Sequence, residues 1–248
     1  GVGKAAEYGI LIRNGEALQQ AGNITTVVLD KTGTVTEGKP AVTTIESVRG
    51  LDENEVLLIA ASLEAGSEHP LAQAVLNAAT EKQLALGNVE NFKAVSGQGV
   101  TGEINNQLTM LGNIKLMQSE SIDVSSLKSR VSELAKLGQT PMYVARDKQL
   151  MGLIAVADPV KQDSKLAIER LHNIGIKVVM LTGDNKHTAA AVAKQVNIDE
   201  VIAEVMPQDK ADKVASLQQG NEVVAMVGDG INDAPALARA DVGFAIGS

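Results

Sequence analysis

Short aliphatic runs that end on polar residues mark both flanks of the chain. Residues 25–30 (TTVVLD) are β-branched and finish on a carboxylate, which predicts a buried strand that delivers Asp30 to its carboxyl end. Beyond Asp158-Pro159 the pattern predicts helix 162–174, strand 176–181, helix 186–196, strand 201–203, helix 208–219 and strand 222–227. Repeated alternation with short glycine-containing links predicts right-handed crossovers and a parallel sheet. The middle of the chain has a different texture. Helical periodicity covers 56–64 and 71–83, with Pro70 suited to a first helical position, where its missing N–H costs nothing. From 92 to 111 strand-like residues are broken by Gly and Asn-Asn, as in antiparallel hairpins. A further helix is predicted over 125–138 and two strands over 142–157.

The strand ending at Asp30 needs parallel neighbours that its immediate sequel does not supply. The economical arrangement joins residues 23–40 and 157–248 into one α/β domain, with an α+β unit of antiparallel character, residues 41–156, inserted between them. Residues 1–22 read as a lead-in, and the abrupt ends of the sequence suggest a piece of something larger.

Composition narrows the picture. Hydrophobic residues make up 44% but aromatics only 2%, so the core must be built from Val, Ile, Leu and Ala, which suits helices on a parallel sheet. A net charge of −8 argues against nucleic acid as the main partner. The absence of cysteine excludes disulfides and thiolate metal sites within these residues. No apolar run reaches the roughly 18 residues needed to span a bilayer, and no signal peptide opens the sequence.

Three predicted strand ends carry polar residues of one kind. Asp30-Lys31-Thr32-Gly33-Thr34 follows VVL, Thr182-Gly183-Asp184 follows VVML, and Gly228-Asp229-Gly230-Ile231-Asn232-Asp233 follows VVAMV. In a parallel sheet such loops open at one edge, so Asp30, Thr182, Asp184, Asp229 and Asp233 are expected to converge. Glycines 33, 183, 228 and 230 are expected to let backbone N–H groups approach an anion. Phosphoryl transfer suits this set: a carboxylate serves as nucleophile, Mg²⁺ relieves the repulsion among carboxylates, and Lys31 and Lys210 supply cations. A single Asp after a strand is usually a turn residue; the ordered combination is what points to chemistry.

DKTGT at 30–34, TGD at 182–184 and GDGINDAPAL at 228–237 resemble the signature motifs of P-type ATPases. The resemblance implies a haloacid-dehalogenase-like (Rossmannoid) α/β phosphorylation domain with a parallel sheet, carrying an inserted α+β antiparallel-sheet nucleotide-binding domain. It implies that Asp30 accepts the γ-phosphate of ATP and that Asp30, Asp229 and the main-chain carbonyl of Thr32 hold Mg²⁺. Thr182 and Lys210 would bind the phosphoryl oxygens, with Lys31, Thr32, Gly183, Asp184, Asn232 and Asp233 supporting the site. Ser67-Glu68-His69-Pro70-Leu71, Gly97 and Gly99, and Gly112-Asn113 look like the nucleotide-binding motifs of the heavy-metal (type IB) group. By that likeness Glu68, His69, Gly97, Gly99 and Asn113 would surround adenine and ribose. Residues 24–40 and 203–210 are most similar to copper(I) exporters, while zinc and cadmium pumps share much of the same core. The resemblance further implies membrane and actuator domains in the same polypeptide, the cytoplasmic face of a membrane as location, a metal chaperone as partner, and a monomeric fragment.

Two other functions stand beside this one. A free-standing haloacid-dehalogenase-type phosphatase usually has an Asp two residues after its nucleophile, where this sequence has Thr32. A non-catalytic nucleotide-binding regulator would bind ATP without turnover. GQGVTG at 97–102 spells the dinucleotide fingerprint but is followed by strand-like residues, so a Rossmann site is rejected. Thr101-Gly102-Glu103 reads as a chance match to an actuator motif. His172 and His187 are expected to be solvated or capping, and the Lys/Glu-rich helix faces to meet solvent.

Overall fold

The computed structural model describes residues 15–68 and 70–246; His69 and most of the lead-in lie outside the described residues. Along the chain run α1 (Gly15–Ala21), β1 (Thr26–Asp30), a tight turn over Lys31–Val35, β2 (Ala41–Ser47), α2 (Glu53–Glu64) and α3 (Pro70–Glu81). Then come β3 (Glu90–Val95), β4 (Gly99–Ile104), β5 (Gln107–Gly112), α4 (Ile114–Ser119), α5 (Lys128–Lys136), β6 (Thr140–Arg146) and β7 (Gln149–Ala157). The last stretch holds α6 (Ser164–Asn173), β8 (Lys177–Leu181), α7 (Lys186–Val196), β9 (Glu200–Ile202), α8 (Lys210–Leu217), β10 (Val224–Asp229), α9 (Ala234–Arg239) and β11 (Val242–Ile246). No helix among the described residues is long and apolar enough to cross a membrane.

Two compact units result, residues 1–39 with 160–248 and residues 40–159. In the first, five parallel strands stand in the order β11-β10-β1-β8-β9. Val28 lies level with Met226 on one side and Val179 on the other, and all three are fully buried. Alternation along β8 serves both faces: Val178 and Met180 pack with Ile168 of α6 and Val192 of α7, Val179 and Leu181 with Val214 of α8 and Ala236 of α9. Both faces being covered explains why these strands read as unbroken aliphatic runs. Each fully buried aliphatic side chain contributes about 1.5–3 kcal/mol. Asn185 starts α7 by accepting from the Thr188 N–H at 2.9 Å, and Asn197, left-handed at φ 61°, ends it.

The second unit is a six-stranded antiparallel sheet in the order β2-β7-β6-β5-β4-β3. Val56, Leu57 and Leu63 of α2 and Val75 of α3 pack on one face against Val144, Ile154 and Val156. Leu116 and Met117 of α4 and Leu134 of α5 pack on the other against Tyr143, Leu153 and Ala155. The α/β class with an inserted α+β unit is as the sequence predicts. Five elements are additional: α1, β2, α4, α9 and β11. Helix α1 has seven residues and α4 and α9 six each, and β2 is a half-exposed edge strand.

His172 is partly solvated and also has a partner. Its Nε2 lies 2.7 Å from Oδ2 of Asp199, and the same oxygen accepts the Val178 N–H at 2.8 Å. Through that oxygen it ties the end of α6 to the start of β8 while staying partly exposed. His187 is exposed on α7.

Candidate active site

The site grows from three adjacent strand ends. Asp30 is level with Leu181, so Thr182 stands one residue beyond on β8's side; Leu29 is level with Val227, so β10 ends beside Asp30 on the other flank. Residues far apart in sequence therefore share one sheet edge, where ligands bind in open α/β sheets.

Lys210, the first residue of α8, joins two carboxylates. Its Nζ is 3.1 Å from Oδ1 of Asp30 and 2.8 Å from Oδ1 of Asp233. The Asp233 side chain is wholly buried and that of Asp30 nearly so. Burial, and after it the negative charge of Asp233, push the Asp30 carboxyl up to about 6 against the pull of Lys210. Burial works against the Lys210 charge too, but the bond to Asp233 and the charge of Asp30 hold its ammonium above the ordinary lysine value.

A second ion pair lies alongside: Lys31 Nζ is 2.8 Å from Oδ2 of Asp184, with the lysine buried and the aspartate half-exposed. The Thr182 hydroxyl accepts the Asp184 N–H at 3.1 Å, and its backbone is pinned to Ile202 and Val205. Lys31 is thus tied to the TGD loop, leaving Lys210 as the cation against Asp30.

The loop after β10 is self-braced. Asp229 accepts the Ile231 N–H at 2.7 Å and the Asn232 amide at 2.8 Å, and these bonds hold its carboxyl below the usual range. Oδ2 of Asp233 accepts the Asp229 N–H at 3.0 Å. A Cβ built on Gly228 would lie 2.4 Å from that Oδ2. Gly228 therefore admits the Asp233 side chain, a packing role the sequence did not suggest.

Sequence reasoning missed what braces the turn after Asp30. Thr32 and Gly33 leave helical geometry there. Thr36, fully buried, donates its hydroxyl to the Lys31 carbonyl at 3.1 Å and accepts the Gly33 N–H at 3.3 Å. The buried Ser164 hydroxyl donates to the Val35 carbonyl at 2.8 Å, and the Lys161 N–H does so at 3.0 Å. Thr36 was visible beside the motif; Ser164 lies 129 residues from Val35 and carried no local signal.

In the antiparallel unit Asn113 caps α4, accepting from the Lys115 and Leu116 N–H groups, and donates from its amide to the Gly97 carbonyl at 2.8 Å. Gly99 is pressed against the neighbouring strand: a Cβ there would meet the Leu111 carbonyl oxygen at 2.2 Å. Gly97, at φ +67°, faces open space. Glu68 is exposed in the connection between α2 and α3, and His69 is outside the described residues. The structure thus brings Gly97, Gly99 and Asn113 together.

A family model of haloacid dehalogenase-like hydrolases matches residues 24–241. The chain belongs to that family. Over its full length this hydrolase chain is 46% identical to a copper-transporting ATPase 2 of Rhizobium meliloti (strain 1021). It is 49% identical to a copper-exporting P-type ATPase of Staphylococcus aureus (strain USA300 / TCH1516), and it spans about 30% of the length of each. Among solved structures it resembles a zinc-transporting PIB-type ATPase in an E2.Pi state, with 39% identity and a TM-score of 0.85 over 98% of this chain and 39% of that one. The catalytic domain of the CPx-ATPase CopB-B gives 30% identity and a TM-score of 0.64 over 98% of this chain and 86% of the other.

The donors at the strand ends of this hydrolase fold fit Mg²⁺. Asp30, Asp229 and the Thr32 carbonyl offer hard oxygen atoms, and Asp229 is held in its ionised form. Among the described residues no three His, Cys, Asp or Glu side chains enclose a metal by themselves.

Proposed function

We propose that this chain is the ATP-binding, autophosphorylating catalytic part of a heavy-metal-exporting P-type ATPase, and that Asp30 is the residue phosphorylated. The observation that carries this reading is Lys210 bonded to both Asp30 and Asp233 at a sheet edge where the residue two after Asp30 is Thr32. One carboxylate oxygen of Asp30 attacks the γ-phosphorus of ATP, the bond from that phosphorus to the β,γ-bridging oxygen breaks, and ADP leaves with those electrons. Lys210 and the Thr182 hydroxyl face the charge that builds on the transferring oxygens. Asp233 keeps Lys210 in place, and Asp184 keeps Lys31 against the TGD loop. Asp30, Asp229 and the Thr32 carbonyl would hold Mg²⁺, which when bound neutralises phosphate charge and orients the γ-phosphate. Thr32 has no acid to donate or accept a proton, so hydrolysis of the acyl phosphate is slow without an outside group.

In the antiparallel unit, Glu68, His69, Gly97, Gly99 and Asn113 form the nucleotide-binding surface. The open side of Gly97 supports contact with a flat base, and Asn113 holds that turn against α4. In the full polypeptide the aspartyl phosphate drives transport through membrane and actuator domains. Copper(I) is the ion best supported, since full-length matches at 46% and 49% identity are copper transporters. Zinc or cadmium is the second reading, favoured by the likeness to the zinc-transporting structure.

The test is incubation with γ-labelled ATP and Mg²⁺, an acid quench, and exposure of the labelled protein to hydroxylamine. A hydroxylamine-sensitive label that disappears in Asp30→Asn supports the reading. Rapid phosphate release with no labelled protein would favour a phosphatase, and ATP binding without label or turnover a regulator. Transport of Cu(I) against Zn²⁺ into vesicles by the full-length protein separates the two ions.

A further inference from the structure

A cavity of about 490 Å³ opens on the antiparallel unit where the end of β2, the start of β7 and the α4–α5 connection meet. Glu68, Gly97, Gly99 and Asn113 do not line it. Its size is that of a small-ligand site. Val48, Leu127 and Leu150 supply an apolar floor continuous with the core beneath α4 and α5. The polar wall carries Arg49, Lys148 and the hydroxyls of Ser125 and Ser126.

The two cations are uncommitted. Arg130 is bonded to Glu46 and Arg146 to Glu55, whereas Arg49 and Lys148 make no ion pair or side-chain hydrogen bond among the described residues. Asp123, the one carboxylate among the lining residues, accepts the Ser125 N–H at 2.9 Å and is bonded by the Ser125 hydroxyl as well, which leaves the Ser126 hydroxyl for a ligand. Both cations also occupy left-handed backbone, Arg49 at φ 54° and Lys148 at φ 62°. Lys148 follows Asp147 (φ 48°) in a two-residue hairpin turn, where Asn-Gly is the favoured pair. Gly or Asn fits such backbone with least strain, so these positions accept replacement by either.

We propose that this cavity binds a small soluble organic phosphate, separate from the nucleotide. Its dianionic head lies between Arg49 and Lys148 with a hydroxyl donor from Ser126, and its apolar body covers Val48, Leu127 and Leu150. Two free cations beside a hydroxyl donor match a doubly charged tetrahedral head better than a single carboxylate.

Backbone amide NMR of the whole chain, titrated with phenyl phosphate at saturating ATP, tests this. The expected result is saturable shifts at Ser125, Ser126, Gln149 and Leu150, with inorganic phosphate weaker for lack of an apolar body. In the double variant Arg49→Asn/Lys148→Gly the affinity should fall at least about tenfold. Both replacements favour the observed backbone, so loss of the turn does not account for loss of binding. Equal binding by the variant, or no saturable shift, overturns the proposal. Competition by ATP for the same amides makes the cavity a nucleotide site instead. Response only to phosphatidate vesicles overturns the assignment to a soluble ligand.

Discussion

Gly228 and Asp233 share one volume: a Cβ on the glycine would come within 2.4 Å of the aspartate's Oδ2. Because Asp233 also anchors Lys210, the absent side chain at 228 sets the position of the cation facing Asp30. Gly228→Ala should destabilise the chain by about 1–3 kcal/mol in urea unfolding and lower acyl-phosphate yield. Adding Asp233→Ala should restore much of the packing and none of the phosphorylation. Simple additivity in that double-mutant cycle would show that the two sites do not touch.

Removing Lys210 leaves the Asp233 carboxylate buried without its partner. Lys210→Met should cost about 3 kcal/mol of stability in metal-free buffer. Asp30→Asn should do the opposite and hold or raise stability, since Asp30 is crowded by Asp233. Thermal unfolding of both variants, with EDTA present, checks the contrast.

Ser164→Ala removes the hydroxyl that holds the Val35 carbonyl. The expected loss is about 1 kcal/mol, with a lower rate of phosphorylation at unchanged ATP affinity. Ser164→Thr, which keeps the hydroxyl, should recover the rate. A fall in ATP affinity instead would place the effect in the other unit.

The two glycines of the antiparallel unit should respond differently. Gly99→Ala drives a methyl into the Leu111 carbonyl and should unfold or separate β4 from β5. Gly97→Ala meets no atoms and should cost only about 1 kcal/mol, the strain of a left-handed alanine, while weakening ATP binding measured by calorimetry. Equal damage from both would refute the distinction.

Burial pulls the Asp199 carboxyl upward, but the Val178 N–H, and then His172, outweigh it and hold it below the ordinary value of 3.8. A depressed carboxyl stabilises the fold above its unfolded value, and that contribution disappears as pH falls through the folded one. The stability gap between the wild type and Asp199→Asn should therefore be full at neutral pH and shrink below about 3.8. A gap constant across that range would show that the charge is not its source.

Legibility followed range. Runs such as TTVVLD and KVVML announced the buried strands, and their polar sequels announced the carboxyl edge, because each signal sits within a few residues. The pairing of Lys31 with Asp184 was not readable, since it depends on which side chain reaches which loop. Nor was Ser164, whose partner is set by topology. The short α4 and α9 lacked enough turns to show a period, and β2 alternates only weakly against solvent.

The brace on the Asp30 turn also fixes an order of events during synthesis. Val160, bridged to Thr36, and Lys161 and Ser164, bonded to Val35, leave the ribosome only after the whole inserted unit has emerged. Until then β1 has neither of its parallel neighbours, and the Asp30 turn lacks these outer supports. A nascent chain halted before residue 160 should thus carry a folded insert beside an unfinished, protease-sensitive N-terminal segment. The carboxyl edge that carries Asp30 is completed last, when β8 and β10 close around a strand made long before them.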